Sequence, residues 1–347
     1  MSTDLQANKA SFKRIYKTPK GKKFDAALDF VLNYNGEKEH VKVLKTYTVG
    51  VKNRVITEPT VEYKEVLKNF AIVIKYILGM AGESHMFSLR KTWTAGIFVN
   101  QPVRDTKSLM AQLDGTSKLQ VKDNLIRVKF DVQDAFGTTS YRTLYKILSR
   151  RTKSVVAWEI MNKMKYLFID DKLPQGFSTS SIIFNYIQYH IIDKLCTYLD
   201  KASSKTTKGH CKYCYNFYNK VSPTKLVYIA RYADDYLMGL TADPVECKKH
   251  YYVLYYLLNR LFKRYGYKLN QSKFQVNHKF NNDYIRFLGH SVTGNNVKNE
   301  HTIPYKAIHR YKNIRHNLFT SNIGNVSDST ITYSLGYLAY LKSVRTR

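Results

Sequence analysis

Apolar and polar positions along this chain follow two rhythms, and the changes between them mark its elements. From His40 to Ile56 the alternation is that of a strand pair, broken by a tight turn at Lys52-Asn53-Arg54. Pro59 then opens a helix with Tyr63, Leu67, Phe70, Ile74, Ile77 and Leu78 on one face, ended by Gly79 and Gly82. Residues 83–123 give no clear period. Leu125 to Phe130 reads as a strand ending at Asp131-Val-Gln-Asp-Ala-Phe136, with a helix cap at Thr138-Thr139-Ser140 and an amphipathic turn through Leu144, Ile147 and Leu148. The rigid turn Leu173-Pro-Gln-Gly176 precedes a long apolar helix running from Ile182 to Leu199. Val227 to Leu240 is two apolar runs meeting at Asp234-Asp235, a β-hairpin with acid at its tip. A helix from Cys247 to Tyr265 follows, then short strands at Tyr267–Lys273 and Ile285–Gly289, then basic helical segments from His301 onward. Residues 1–35 are read as a solvated basic arm, because Pro19-Lys-Gly-Lys-Lys23 sits among polar residues.

Charge changes this picture. Against 26 acidic residues stand 56 Lys and Arg, a formal +30 over 347 residues, and that self-repulsion makes sense with a polyanion as partner. Nucleic acid leads; an anionic membrane is the weaker reading, since no run reaches the length of a span. The 44% hydrophobic content suffices for one large core or two smaller ones, and the 29 tyrosines suit base stacking as well as packing. Four cysteines are too few for a disulfide framework and point to a reducing compartment, while the N-terminus shows no apolar signal segment. A cytoplasmic location, bacterial or phage-related, is expected, with mitochondria as the alternative.

The candidate chemistry lies in the acids. Asp234 and Asp235, exposed together at a hairpin tip, repel one another unless a divalent cation such as Mg²⁺ holds them. An ordinary acidic turn is the plain alternative, as helix capping is for Asp131. A second candidate site, for structural Zn²⁺, combines Cys211-x-x-Cys214 before the hairpin with Cys247-x-x-His250 after it, a Cys₃His set of the right ligand types. Its plain alternative is four ordinary residues, two of them on an amphipathic helix.

Taken in order, Arg54-x-Ile-x-x-Pro59, Asp131-x-x-x-x-Phe136, Leu-Pro-Gln-Gly176, Tyr-Ala-Asp-Asp235, Gly266-Tyr-Lys-Leu-Asn270-x-x-Lys273 and Phe287-Leu-Gly289 are together far more specific than any one of them. With them the chain resembles a reverse transcriptase from Arg54 to the C-terminus. Ser291-Val-Thr-Gly294 after Phe287-Leu-Gly289, and Leu335-Gly-Tyr-Leu-Ala-Tyr340, make it most similar to the retron and antiviral-defence enzymes of bacteria, with group II intron enzymes next. It departs from the retron pattern in lacking an Asn-Ala-x-x-His element before Asp131, and it carries no maturase or endonuclease extension.

The resemblance implies an α+β right-hand polymerase with an antiparallel palm sheet and a short helical thumb. Its parts would be a basic arm (1–35), fingers (36–130), palm (131–295) and thumb (296–347). It implies RNA-directed DNA polymerase activity, with an RNA template, deoxynucleotides and a DNA product, on a dedicated noncoding RNA in antiphage defence, with a protein partner or a second copy. The alternatives are an untemplated or protein-primed polymerase of the same fold and a non-catalytic, maturase-like RNA-binding protein. Asp131, Asp234 and Asp235 would hold two Mg²⁺ ions; Arg54, Gln175, Gly176 and Lys273 would meet the nucleotide and its phosphates; Phe136 would be the gate against a 2′-hydroxyl.

Overall fold

A computed structural model describes residues 2–36, 43–49, 54–79, 87–88, 125–152, 154–203, 225–232, 234–241, 247–278, 284–287, 290–293 and 301–302. The chain divides into two compact units. One comprises Met1–Ser88, Val132–Thr197 and Tyr255–Asn270; the other comprises Leu89–Asp131, Tyr198–Leu254 and Gln271–Arg347.

The first unit is mainly helical. Helices α1 (Ser2–Ile15) and α2 (Lys22–Asn33) open it, followed by strands β1 (Val43–Val49) and β2 (Arg54–Pro59), helix α3 (Val61–Ile77) and the two-residue strand β3 (Phe87–Ser88). Strands β1 and β2 form an antiparallel pair in which Val49 stands opposite Arg54; Lys52 and Asn53 of the expected turn lie outside the described residues. Pro59 closes β2 rather than opening the helix. The cap is Thr60, whose hydroxyl accepts from the Tyr63 amide at 3.2 Å and so satisfies one of the first-turn donors. Helix α3 ends where Gly79 takes a positive φ of 67°. After the turn at residues 133–138, α4 (Tyr141–Leu148) starts at Ser140, whose side chain accepts from the Thr143 amide. Helix α5 (Val155–Lys163) and the long α6 (Ser178–Ser203) complete the scaffold.

The N-terminal segment corrects the expectation of a solvated arm. Phe24, Ala27, Leu28, Val31 and Leu32 recur at helical spacing and are buried, as is Phe12 of α1. Burying side chains of this size contributes roughly 1.5–3 kcal/mol each at most, which outweighs the cost of ordering a basic segment. Lys9 to Asp29 and Lys13 to Asp25 pair the two helices across their polar faces. The Lys163 ammonium donates to the Leu32 carbonyl at the end of α2.

The second unit is built on an antiparallel sheet. Strands β4 (Leu125–Asp131), β5 (Lys225–Tyr232), β6 (Asp235–Thr241) and β7 (Gln275–His278) lie in the order β5-β6-β4-β7. Helix α7 (Cys247–Lys263) follows the hairpin. A three-residue 3₁₀ turn, Gln271–Lys273, and a single bridge at Leu269 replace the strand expected over Tyr267–Lys273. Strands β8 (Tyr284–Phe287), β9 (His290–Thr293) and β10 (His301–Thr302) make a separate three-stranded sheet. Beyond β10, the segment read as a short helical thumb lies outside the described residues.

Alternation along β4 sorts its side chains to two faces. Val128 and Phe130 are fully buried on one, where Phe130 stacks on its cross-strand partner Tyr236 with ring centroids 4.7 Å apart and planes within 7°. Arg127, Lys129 and Asp131 occupy the other. The apolar face fixes the register, since a slip of one residue would exchange the two sets.

Candidate active site

That register brings the acids together. Asp131, the last residue of β4, stands directly opposite Asp235, the first residue of β6; Tyr232 pairs with Asp235 across the hairpin, leaving Asp234 in the turn. From its own sequence context alone, Asp131 is open to the plainer reading of a helix cap. The cap of α4 is Ser140 instead.

Burial modifies the expectation of exposed carboxylates. Asp131 is only 3% exposed, and Asp234 and Asp235 are half-buried. The Asp235 carboxyl is pushed up from the ordinary carboxylate range, first by burial and then by the charges of Asp234 and Asp131, with Lys129 and Lys273 opposing. The Lys273 ammonium pairs with Asp131 Oδ2, and that bond is the main reason the lysine pKa is raised. Lys129 was missed in the sequence. The period-two pattern of β4, which puts residue 129 on the face of residue 131, was the signal for it.

Asp131 Oδ1 is buried and has no hydrogen-bond partner. A carboxylate oxygen in that state costs free energy unless a cation meets it, and three acids at adjoining strand ends are hard oxygen donors of the kind Mg²⁺ takes. The donor set thus fits a divalent ion. Among the described residues, no three His, Cys, Asp or Glu side chains are already gathered closely enough to hold one. The zinc candidates give no geometry: Cys211 and Cys214 lie outside the described residues, and Cys247 and His250 are placed only as backbone in the first turn of α7.

In the first unit a second group of motif residues converges. The Thr57 amide of β2 donates to the Gln175 carbonyl at 2.7 Å. Gly176 follows with φ of 118°, and a Cβ there would lie 2.2 Å from the Thr57 carbonyl oxygen. Only glycine permits this approach. The junction borders a hollow of about 400 Å³ lined by Ile56, Thr57, Glu58, Pro59, Lys64, Leu67, Gly176 and Ser178. Arg54 begins β2, and its side chain is outside the described set. Phe136 sits half-buried in the turn after β4, its ring 5.0 Å from that of Phe184. The turn is tight: Asp134 has a positive φ of 45°, and the Thr138 hydroxyl donates back to its carbonyl at 2.8 Å.

An antiparallel sheet with an acid at the end of one strand, set against a Tyr-Ala-Asp-Asp hairpin turn, is the palm of a right-hand polymerase, an α+β fold. The family comparison agrees. The family described as reverse transcriptase (RNA-dependent DNA polymerase) matches residues 50–292, and the chain belongs to that family, a class of nucleotidyltransferases. None of the curated proteins matches. Among solved structures the chain is similar to the telomerase of Candida albicans in complex with a fragment of telomeric RNA, at 13% identity and a TM-score of 0.46, covering 92% of this chain and 57% of that one. It is also similar to an apo telomerase of Candida tropicalis truncated of its C-terminal domain, at 16% identity and 0.40, covering 69% and 51%. The chain therefore spans about half the length of these structures. Among the described residues no helix is long and apolar enough to cross a membrane.

Proposed function

We propose that this chain is an RNA-directed DNA polymerase that extends a primer with deoxynucleotides on an RNA template. The observation that carries the reading is the β4–β6 register, which sets Asp131 opposite Asp235, next to Asp234, with one Asp131 oxygen buried and unpartnered. In the reaction a primer 3′-oxygen bonds to the α-phosphorus of the incoming nucleotide, the bond to pyrophosphate breaks, and the hydroxyl proton leaves. Asp131, Asp234 and Asp235 are the residues that would hold Mg²⁺. Two such ions, when bound, lower the pKa of the hydroxyl and neutralise the charge building on the leaving phosphates.

The chain's own groups do the rest. Lys273, already drawn to the acids, supplies a positive charge for phosphate once Asp131 takes a metal ion. Arg54 offers a planar fork suited to phosphate oxygens. Gln175 and Gly176 present backbone that only the glycine conformation allows so close to β2, and the ring of Phe136, backed by Phe184, is the steric gate beneath the sugar. On Phe287-Leu-Gly289 followed by Ser291-Val-Thr-Gly294, the enzyme falls nearest the retron-related defence enzymes, copying a dedicated noncoding RNA in a bacterial cytoplasm.

The test is primer extension on an RNA template with Mg²⁺ and deoxynucleotides, followed by sequencing of the product. Complementary DNA from the native chain and none from Asp234→Asn supports the proposal. Homopolymer unrelated to the template, or equal synthesis by the variant, rejects it.

A further inference from the structure

Helix α4 has an outer face that the polymerase reading leaves without a task. Its inner face is aliphatic, with Leu144, Ile147 and Leu148 buried. Its outer face carries Arg142, Tyr145 and Lys146, at a spacing of three and four residues, and Arg150 follows in the turn just past its end. All four are exposed. The helix contains no acidic residue, and no ion pair among the described residues engages Arg142, Lys146 or Arg150. Two acids on neighbouring segments are committed elsewhere: Glu159 faces Lys163 at 3.7 Å, and Asp171 accepts from the Tyr141 amide at 2.9 Å; beyond the helix, the charges of Asp193 and Arg150 both act on His190.

Aromatic rings run beside the cations. Tyr145, 37% exposed, has its ring 5.9 Å from that of Tyr141 and 6.2 Å from that of Trp158, at interplanar angles of 59° and 68°. The Tyr141 hydroxyl donates to the Met161 carbonyl, and burial pushes its pKa up to about 12, so that ring is anchored and neutral. From Arg142 to Lys146 the helix rises roughly 6 Å, about two phosphates of a stacked strand, with Arg150 just beyond its end.

The geometry points to α4 as a docking surface for single-stranded RNA, separate in role from the acids of the palm sheet. Unpaired cations beside an exposed ring are what an unpaired strand uses: phosphates meet the guanidinium and ammonium groups, and a base lies on Tyr145. An anionic membrane would also draw the cations, but α4 turns its aliphatic side chains inward and offers little to insert. The inference deepens the proposed function, because it assumes that the chain handles RNA. It assigns the surface to the part of the RNA that is held without being copied.

The experiment uses the full chain and two fluorescent RNA–DNA primer-templates, one blunt and one with a twenty-nucleotide unpaired oligouridine tail on the RNA. The native chain is expected to bind the tailed form about tenfold more tightly. Replacing Arg142, Lys146 and Arg150 together by Gln should remove that advantage and lower the dependence of log affinity on log salt by about two, while binding and extension of the blunt form stay unchanged. Tyr145→Leu should lose about fivefold of the tail advantage with little change in salt dependence. Retention of the tail advantage by both variants overturns the inference, as does loss of binding to anionic phosphatidylglycerol vesicles with tail binding intact. Should the native chain extend no primer, the polymerase reading falls while the tail comparison still decides the role of α4.

Discussion

Two regions carry the candidate chemistry, and they are made in opposite ways. At the end of the palm sheet, side chains are placed by register: Val128 and Phe130 must face the core, so Asp131 must face the other way and Asp235 must meet it. At the junction of β2 with the turn before α6, backbone is placed by exclusion. The Gln175 carbonyl and Gly176 come within hydrogen-bonding distance of Thr57 because no Cβ stands between them. The first site therefore depends on which functional group stands at a position, and the second on the absence of a Cβ at Gly176.

The largest effect tests the first half of that contrast. Asp131→Asn keeps size and burial but removes the charge proposed to hold a metal ion. Primer extension should fall by about a thousandfold or more, the order expected when several kcal/mol of metal-assisted stabilisation is lost, with the circular dichroism spectrum unchanged. Next comes the proposed gate. Phe136→Ala should raise ribonucleotide use relative to deoxynucleotide use by about a hundredfold, the range a lost apolar contact gives, read by paired single-nucleotide incorporation assays. The second half of the contrast is tested by Gly176→Ala, which meets the Thr57 carbonyl and a φ that alanine avoids. It should cost about 1–3 kcal/mol of stability in urea unfolding, where a neutral result would remove the close approach.

The smallest effect concerns pH. Because burial and neighbouring acids raise the Asp235 pKa in the folded chain, its charged form opposes folding. A carboxylate shifted in that direction binds more protons folded than unfolded, so its contribution to stability declines as pH rises from the ordinary carboxylate range through the raised folded value. Asp235→Asn should therefore raise the melting temperature at pH 7 without divalent cations. The gain should disappear at pH 3, where both chains are neutral at that position.

Much of this was legible in the chain itself. The hairpin could be read because two acids interrupt a run of β-branched and aromatic residues, and α3 because its apolar positions keep one helical face. The pairing of Lys273 with Asp131 could not be read, since 142 residues separate them and the motif that holds Lys273 does not name its partner. The N-terminal helices were misjudged from charge: the lysines are conspicuous, while the stripe of Phe24, Ala27, Leu28, Val31 and Leu32 that decides the packing is short and interleaved with polar residues. Tertiary burial, which no local window contains, also turned acids expected at the surface into half-buried and buried ones.

The central claim is that Asp131 shares a divalent ion with Asp234 and Asp235, and bound Fe²⁺ with ascorbate and peroxide tests it most directly by cutting backbone next to the metal. The account predicts cleavage both near residue 131 and near residues 234–235, suppressed at both places by excess Mg²⁺ and lost at both in Asp131→Asn. Cleavage at one stretch alone, or at neither, would contradict it.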